Sequence, residues 1–199
     1  MVVTSLPVTA AVVIPDAAAA PCPDVEVVFG RGTNQPPGLG EVGEAFVDSL
    51  RAQAGGKSIG AYAVNYPASN DFPNSVPAGA RDASTHVQSM AASCPNTRLV
   101  LGGYSQGATV TDVISGTMPP AVANHVAAVA LFGNPKSAFA DTLSSGPLPA
   151  ISPRYVPKTI DLCVPDDPLC SDGKNFVAHI LYVQTGMTNQ AATFVASRV

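Results

Sequence analysis

A serine, a histidine and a carboxylate, each set in a stretch able to present it, are the residues of this chain equipped to do chemistry together. Ser105 stands in Gly103-Tyr104-Ser105-Gln106-Gly107, after the apolar run Leu99-Val100-Leu101 and ahead of a helix-like stretch from Ala108 to Ser115. That is G-x-S-x-G between a strand and a helix, the context that holds a serine at the tip of a sharp, strained turn with its hydroxyl exposed. Gly103 and Gly107 lack side chains for a physical reason, because strand and helix cross closely at such an elbow and a Cβ at either place would clash. The pentapeptide also arises by chance as an ordinary loop, and it is the strand before and the helix after that mark Ser105 as a candidate nucleophile.

A serine hydroxyl near neutral pH is a weak nucleophile and needs a base, itself oriented by a third group. The chain offers His86, His125 and His179. With the order nucleophile, acid, histidine expected of such an elbow, His86 comes too early. His125 opens the apolar run Val126 to Phe132 and reads as a strand-entry residue that caps or faces solvent. His179 follows a loop rich in carboxylates, in Asn175-Phe176-Val177-Ala178-His179, and is the better base. His86 falls within a helical stretch, where a surface position is its default reading.

The acid belongs between Ser105 and His179, on a loop after a late strand. Cys163-Val164-Pro165-Asp166-Asp167-Pro168-Leu169-Cys170 fits, since two cysteines bracketing a short loop with two prolines suggest a disulfide staple that fixes a carboxylate. Asp166 and Asp167 both qualify, and spacing does not choose between them; Asp and Pro also favour an ordinary solvated turn here.

Taken together, Arg31-Gly32-Thr33 after a first strand, the Ser105 pentapeptide, the acid loop between Cys163 and Cys170, and His179 beyond it resemble the cutinase family, most closely its secreted actinobacterial esterases. The resemblance runs from Cys22 to the C-terminus. It implies that Ser105, Asp167 and His179 form a triad and that the backbone amides of Thr33 and Gln106, with the Thr33 hydroxyl, form an oxyanion hole. Thr33 stands where fungal members usually carry serine, so its hydroxyl is kept with an added methyl. The resemblance also implies the pairing Cys22–Cys94 beside Cys163–Cys170, which points to an oxidising compartment and a secreted, extracellular or envelope-associated protein. Those roles amount to hydrolysis of a carboxylic ester through an acyl-enzyme, with no cofactor and no metal.

Composition agrees in kind. Of 199 residues 46% are hydrophobic and 12% charged, with a net charge of −4, so one core is easily filled and no basic cluster exists to engage nucleic acid. Residues 1–20 read as a signal-like or disordered N-terminal segment: small residues precede Pro21, but no Lys or Arg opens the apolar part. Residues 21–199 read as a single domain, expected as a monomer.

The elements that must carry these groups alternate. Strands are expected at Val25 to Phe29, Ala61 to Tyr66, Arg98 to Gly102, Val126 to Phe132 and Pro157 to Leu162. Helices are expected from Glu41 to Gln53, Ala78 to Ala92, Gln106 to Gly116 and within Leu181 to Arg198, broken at Gly186, with a long loop from Pro67 to Pro77. Such alternation predicts an α/β protein, a three-layer α/β/α sandwich on a central, mostly parallel sheet.

No insertion near the site is long enough for a large lid, so an open cleft taking bulky or lipid-borne esters is expected, with interfacial contact to lipid. Tyr104, Phe72, Phe176 and Val177 are the apolar candidates to line it. Two alternatives stay open at this stage: acyl transfer to an alcohol by the same triad, and a binding module whose triad is vestigial.

Overall fold

The computed structural model describes residues 1–2, 21–144 and 146–199. The expected N-terminal signal-like segment falls almost wholly outside them. In chain order the elements are β1 (Val25–Gly30), α1 (Gly40–Gln53), β2 (Ile59–Ala63), α2 (Phe72–Ser93), β3 (Arg98–Tyr104), α3 (Gln106–Thr117), α4 (Pro120–Ala123), β4 (Val126–Phe132), α5 (Ala138–Leu143), β5 (Thr159–Leu162) and α6 (Met187–Ala196). Short 3-10 turns precede β5 and follow the acid loop, at Val156–Lys158 and Ala178–Ile180.

The sheet order is β2-β1-β3-β4-β5 and every pairing is parallel. Parallel strands need crossover helices, and these cover both faces. On one face Phe29, Phe46 and Phe132 form an aromatic cluster under α1 and α6, with ring centroids 5.7–6.2 Å apart. On the other, Leu99, Leu101, Val129 and Leu131 pack beneath α2 and α3. The expected three-layer sandwich is the observed one. Chain order reverses between β1 and β3, whose ends meet at the pair Gly30–Gly103; that reversal opens a crevice beyond the carboxyl ends of the strands.

Several boundaries differ from the sequence reading; β3 runs on to Tyr104, and β5 starts at Thr159 because Pro157 lies in the preceding 3-10 turn. α2 begins at Phe72 rather than Ala78, absorbing part of the expected loop. Pro73 sits in the first turn, where no N–H is needed, and Pro77 is tolerated on the exposed side while Val76, Ala80, Ala83 and Val87 bury the apolar stripe. β2 is Ile59–Ala63, starting two residues early and ending three early: Val64 N still donates to Phe29 O at 3.0 Å, and beyond it the chain leaves the ladder with Tyr66 buried. The break at Gly186 is present: this residue caps α6 with φ 74°, a conformation glycine takes without strain. His86 is not a free surface residue. Its Nε2 lies 2.5 Å from Glu26 Oε1 and its ring stacks on Tyr62 at 3.6 Å, so it joins α2 to the sheet.

One buried acid serves the fold. Asp112 on α3 is 1% exposed; its Oδ2 accepts from Asn134 Nδ2 at 3.0 Å, while its Oδ1 and Asn134 Oδ1 have no partner among the described residues. Burial pushes its carboxyl up to about 7, against the Asn134 hydrogen bond. A carboxyl raised in the folded state stabilises the fold only while protonated, so this contribution is full below the unfolded value near 4 and is lost as pH rises toward 7. Between pH 5 and 8 the wild type is expected to lose on the order of 2 kcal/mol relative to Asp112→Asn, whose amide mimics the protonated acid. Melting curves of both proteins at the two pH values test this; parallel pH dependence contradicts it.

Candidate active site

The site lies at the crevice between β1 and β3, and backbone approach dictates its glycines. A Cβ on Gly103 would fall 2.1 Å from Gly107 O, and one on Gly107 would fall 2.0 Å from Gly30 O. The elbow therefore packs not only strand against helix, as the motif suggests, but also helix against the end of β1. Ser105 between them has φ 54° and ψ −121°, a conformation costing about 1–3 kcal/mol for a residue with a side chain. The neighbours that enforce it leave the hydroxyl facing the His179 ring.

Ser105 Oγ lies 2.9 Å from His179 Nε2, and His179 Nδ1 lies 2.7 Å from Asp167 Oδ2. Asp167 is wholly buried. Its Oδ1 accepts from Leu169 N at 2.9 Å and its Oδ2 also accepts from the Tyr182 hydroxyl at 2.6 Å. Burial pushes this carboxyl up, but the hydrogen bonds from His179, Tyr182 and the Leu169 amide outweigh it and hold it below the usual carboxylate range. A buried, ionised carboxylate facing Nδ1 selects the tautomer that leaves Nε2 free to accept a proton from Ser105.

The choice between the two acids is conformational. Asp166 has φ 68°, is exposed, and offers its carbonyl to Asn175 N, so its side chain turns to solvent while Asp167 turns inward. Cys163 and Cys170 are joined across the loop, with Cα atoms 5.8 Å apart; Cys22 and Cys94 are also joined, across 72 positions. In the chain-entropy picture the long bridge contributes about 4 kcal/mol and the short one about 2–3. Cys163, Asp167 and Cys170 are the one group of metal-ligand type gathered closely among the described residues, and its sulfurs are committed to each other.

Thr33 lies half-buried in the loop after β1, and Gln106 opens α3. Neither backbone amide donates to a protein acceptor among the described residues. A network that the sequence reading missed supports this loop. Arg31 is 4% exposed and donates to the carbonyls of Gln35, Val64, Tyr66 and Pro67, while the Tyr66 hydroxyl donates to Arg31 O. Asn34 N donates to Ala68 O at 2.6 Å. The buried Gln106 side chain accepts from Ser75 Oγ at 2.9 Å and donates to Ser69 O at 2.8 Å. The residue whose amide opens the helix thus also ties down the segment on which the Thr33 loop rests.

The expected lining residues divide. Tyr104 is 7% exposed; its ring stacks on His179 at 5.1 Å and its hydroxyl donates to His179 O at 2.6 Å, so it supports the imidazole and offers little surface to a ligand. Phe72 lines a cavity of about 300 Å³ with Val76, Thr109 and Leu148, beside the first turn of α3. Phe176 and Val177 are 59% and 57% exposed, and Ile180, which the sequence reading passed over, is 63% exposed on the other side of His179. Gly133 closes the back of the site: a Cβ there would meet His179 Cε1 at 2.9 Å. His125 lies at the entry to β4, the opposite end of the sheet from Ser105.

Comparison with known proteins identifies the family. The family profile described as cutinase matches residues 21–199. The chain is 64% identical over 180 residues to carboxylesterase Culp1 of Mycobacterium tuberculosis, covering 90% of this chain and 83% of that one. It is 54% identical over 192 residues to phospholipase Culp4 of the same organism, covering 92% and 81%. Among solved structures, a Trichoderma reesei cutinase in complex with a phosphonate inhibitor superposes with a TM-score of 0.71 at 32% identity, covering 89% of this chain and 77% of that one. An elbow serine, a histidine and a buried acid on a parallel sheet, together with these likenesses along nearly the whole matched length, place the chain in the cutinase family of serine ester hydrolases.

Proposed function

We propose that this chain is a secreted carboxylic-ester hydrolase that works through an acyl-enzyme on Ser105, as a single domain over residues 21–199. The observation that carries the reading is the unbroken hydrogen-bonded series from Ser105 Oγ through His179 to the buried Asp167. His179 Nε2 takes the proton as Oγ attacks the ester carbonyl, and Asp167 stabilises the imidazolium that results. The amides of Thr33 and Gln106 receive the developing oxyanion; losing one such donor typically costs about 3 kcal/mol of transition-state stabilisation. His179 returns its proton to the leaving alcohol, then activates the water that releases the acid.

Exposed Phe176, Val177 and Ile180 border His179 with apolar surface, which suits acyl esters of lipid or polyester type met at an interface. Relatives named carboxylesterase and phospholipase support an acyl-ester substrate. Two disulfides suit an oxidising, extracellular setting, and no helix among the described residues is long and apolar enough to cross a membrane.

The test is the pH dependence of kcat/KM on p-nitrophenyl esters of graded chain length. Since only neutral imidazole accepts the Ser105 proton, the rate should rise with pH along one ionisation. Asp167, held below the usual carboxylate range, should add no second step above pH 5. A profile flat from pH 5 to 8 contradicts the assignment of His179 as base.

A further inference from the structure

We propose that Tyr182 is a positioning residue for the Ser105 chemistry, fixing the Asp167 carboxylate and moderating how strongly it holds a protonated His179. The inference rests on the ester-hydrolase reading above and adds a group outside the three reacting side chains. Tyr182 is wholly buried, three residues beyond His179, with its ring edge-on to both Phe132 and His179. Its hydroxyl donates at 2.6 Å to Asp167 Oδ2, the same oxygen that faces His179 Nδ1 at 2.7 Å.

The direction of that hydrogen bond follows from the surroundings. Val164 N donates to the phenol oxygen at 3.3 Å, which occupies a lone pair. Cys170 Sγ lies 3.4 Å away but belongs to a disulfide and has no proton to give. The phenol proton therefore points to the carboxylate. Burial, and then the bond to Asp167, push the Tyr182 hydroxyl far above its ordinary range, so it remains a donor wherever the enzyme works. The other titratable groups close by are His179 itself, Tyr104, whose hydroxyl goes to the His179 carbonyl oxygen instead, and Glu41 beyond Tyr104 at the start of α1.

Two donors on one oxygen share its charge. Without the phenol, Oδ2 faces Nδ1 alone, the imidazolium is held more tightly, and more base is needed to free Nε2. Tyr182→Phe in the full chain keeps the ring and removes only the donor. Its kcat/KM–pH profile should move to higher pH by about 0.5–1 unit, a three- to tenfold loss on the acid limb, with the plateau within about threefold of wild type. An NMR titration of His179 in the unliganded protein should show the same displacement. A lowered plateau at an unmoved midpoint would mean a purely structural role and overturn the proposal, as would no change at all.

Should the phenylalanine variant not fold, 3-fluorotyrosine installed at position 182 supplies a stronger donor in the same volume, and the midpoint should then move down; an unmoved midpoint again overturns it. The NMR titration needs no turnover. Absence of esterase activity in the wild type would count against the proposed function, whereas an unresponsive His179 titration would count against Tyr182 alone.

Discussion

Ser105→Ala is expected to fold and melt like the wild type and to lose kcat on ester substrates by about five to six orders of magnitude. The hydroxyl is the only atom removed, and at the tip of its turn it holds no element in place. The other half of the expectation is that the loss is not total. Removing the proposed nucleophile leaves the proposed oxyanion amides and substrate surface; in serine hydrolases of other folds such groups retain about 10³–10⁴ of catalysis over water. On the proposed mechanism Ser105 and His179 act as one unit, so Ser105→Ala/His179→Ala should be no slower than either single variant. Additive losses would mean that the two side chains act separately, contrary to their 2.9 Å contact.

Asp167→Asn is the second large expectation, about a 10⁴-fold fall in kcat with little change in KM. The position is buried and its oxygens accept from His179, Tyr182 and the Leu169 amide, so every neighbour is arranged for an acceptor. An asparagine must turn one NH₂ toward either the His179–Tyr182 side or the Leu169 amide. Turned toward His179, it favours the tautomer that carries the proton on Nε2 and cannot accept from Ser105. Turned toward Leu169, it sets donor against donor and loosens the loop. Circular dichroism and a melting curve separate these outcomes from unfolding, and retained activity above a tenth of wild type would mean that Asp167 does not serve as the acid of the triad. Asp166→Asn, at the exposed neighbouring position, should leave kcat within about twofold.

The contrast between those two aspartates shows where sequence reading stops. Cys163 and Cys170 mark the loop in the sequence, but which carboxylate turns inward depends on the left-handed backbone at Asp166, which no residue type there dictates. Local features were the legible ones. Ser105 is announced by flanking glycines whose absent side chains answer a contact only about 2 Å wide, and β4 is announced by seven consecutive apolar residues, all of them buried. The parallel sheet, its alternating helices and the break at Gly186 follow from patterns of similar range.

What the sequence hid is long-range. Arg31 enters the sequence reading only as part of Arg31-Gly32-Thr33 after the first strand, yet its guanidinium is buried against carbonyls more than thirty positions away. The side chain of Gln106 looks incidental beside the amide, though it ties α3 to Ser69 and Ser75. His86 is hydrophilic on a helix and so reads as surface, but its partner Glu26 is on β1 and its stacking partner Tyr62 on β2. Tyr182, three places from His179, carried no motif at all. The start of α2 was misplaced because Pro73 and Pro77 weigh against a helix locally, while the apolar stripe that forms it gains only from burial against α3.

Activation of Ser105 as a nucleophile by His179 is the step on which the proposed function depends. Its most direct test is intact-mass spectrometry of the unreduced protein before and after a serine-directed phosphonate ester, with peptide mapping and parallel activity readings. Expected are a single adduct on Ser105, activity lost in proportion to it, no adduct on Ser105→Ala, and a mass four hydrogens below the fully reduced chain from its two disulfides. A folded, fully oxidised protein that takes no adduct, or takes it at another residue while activity falls, would contradict that role of Ser105.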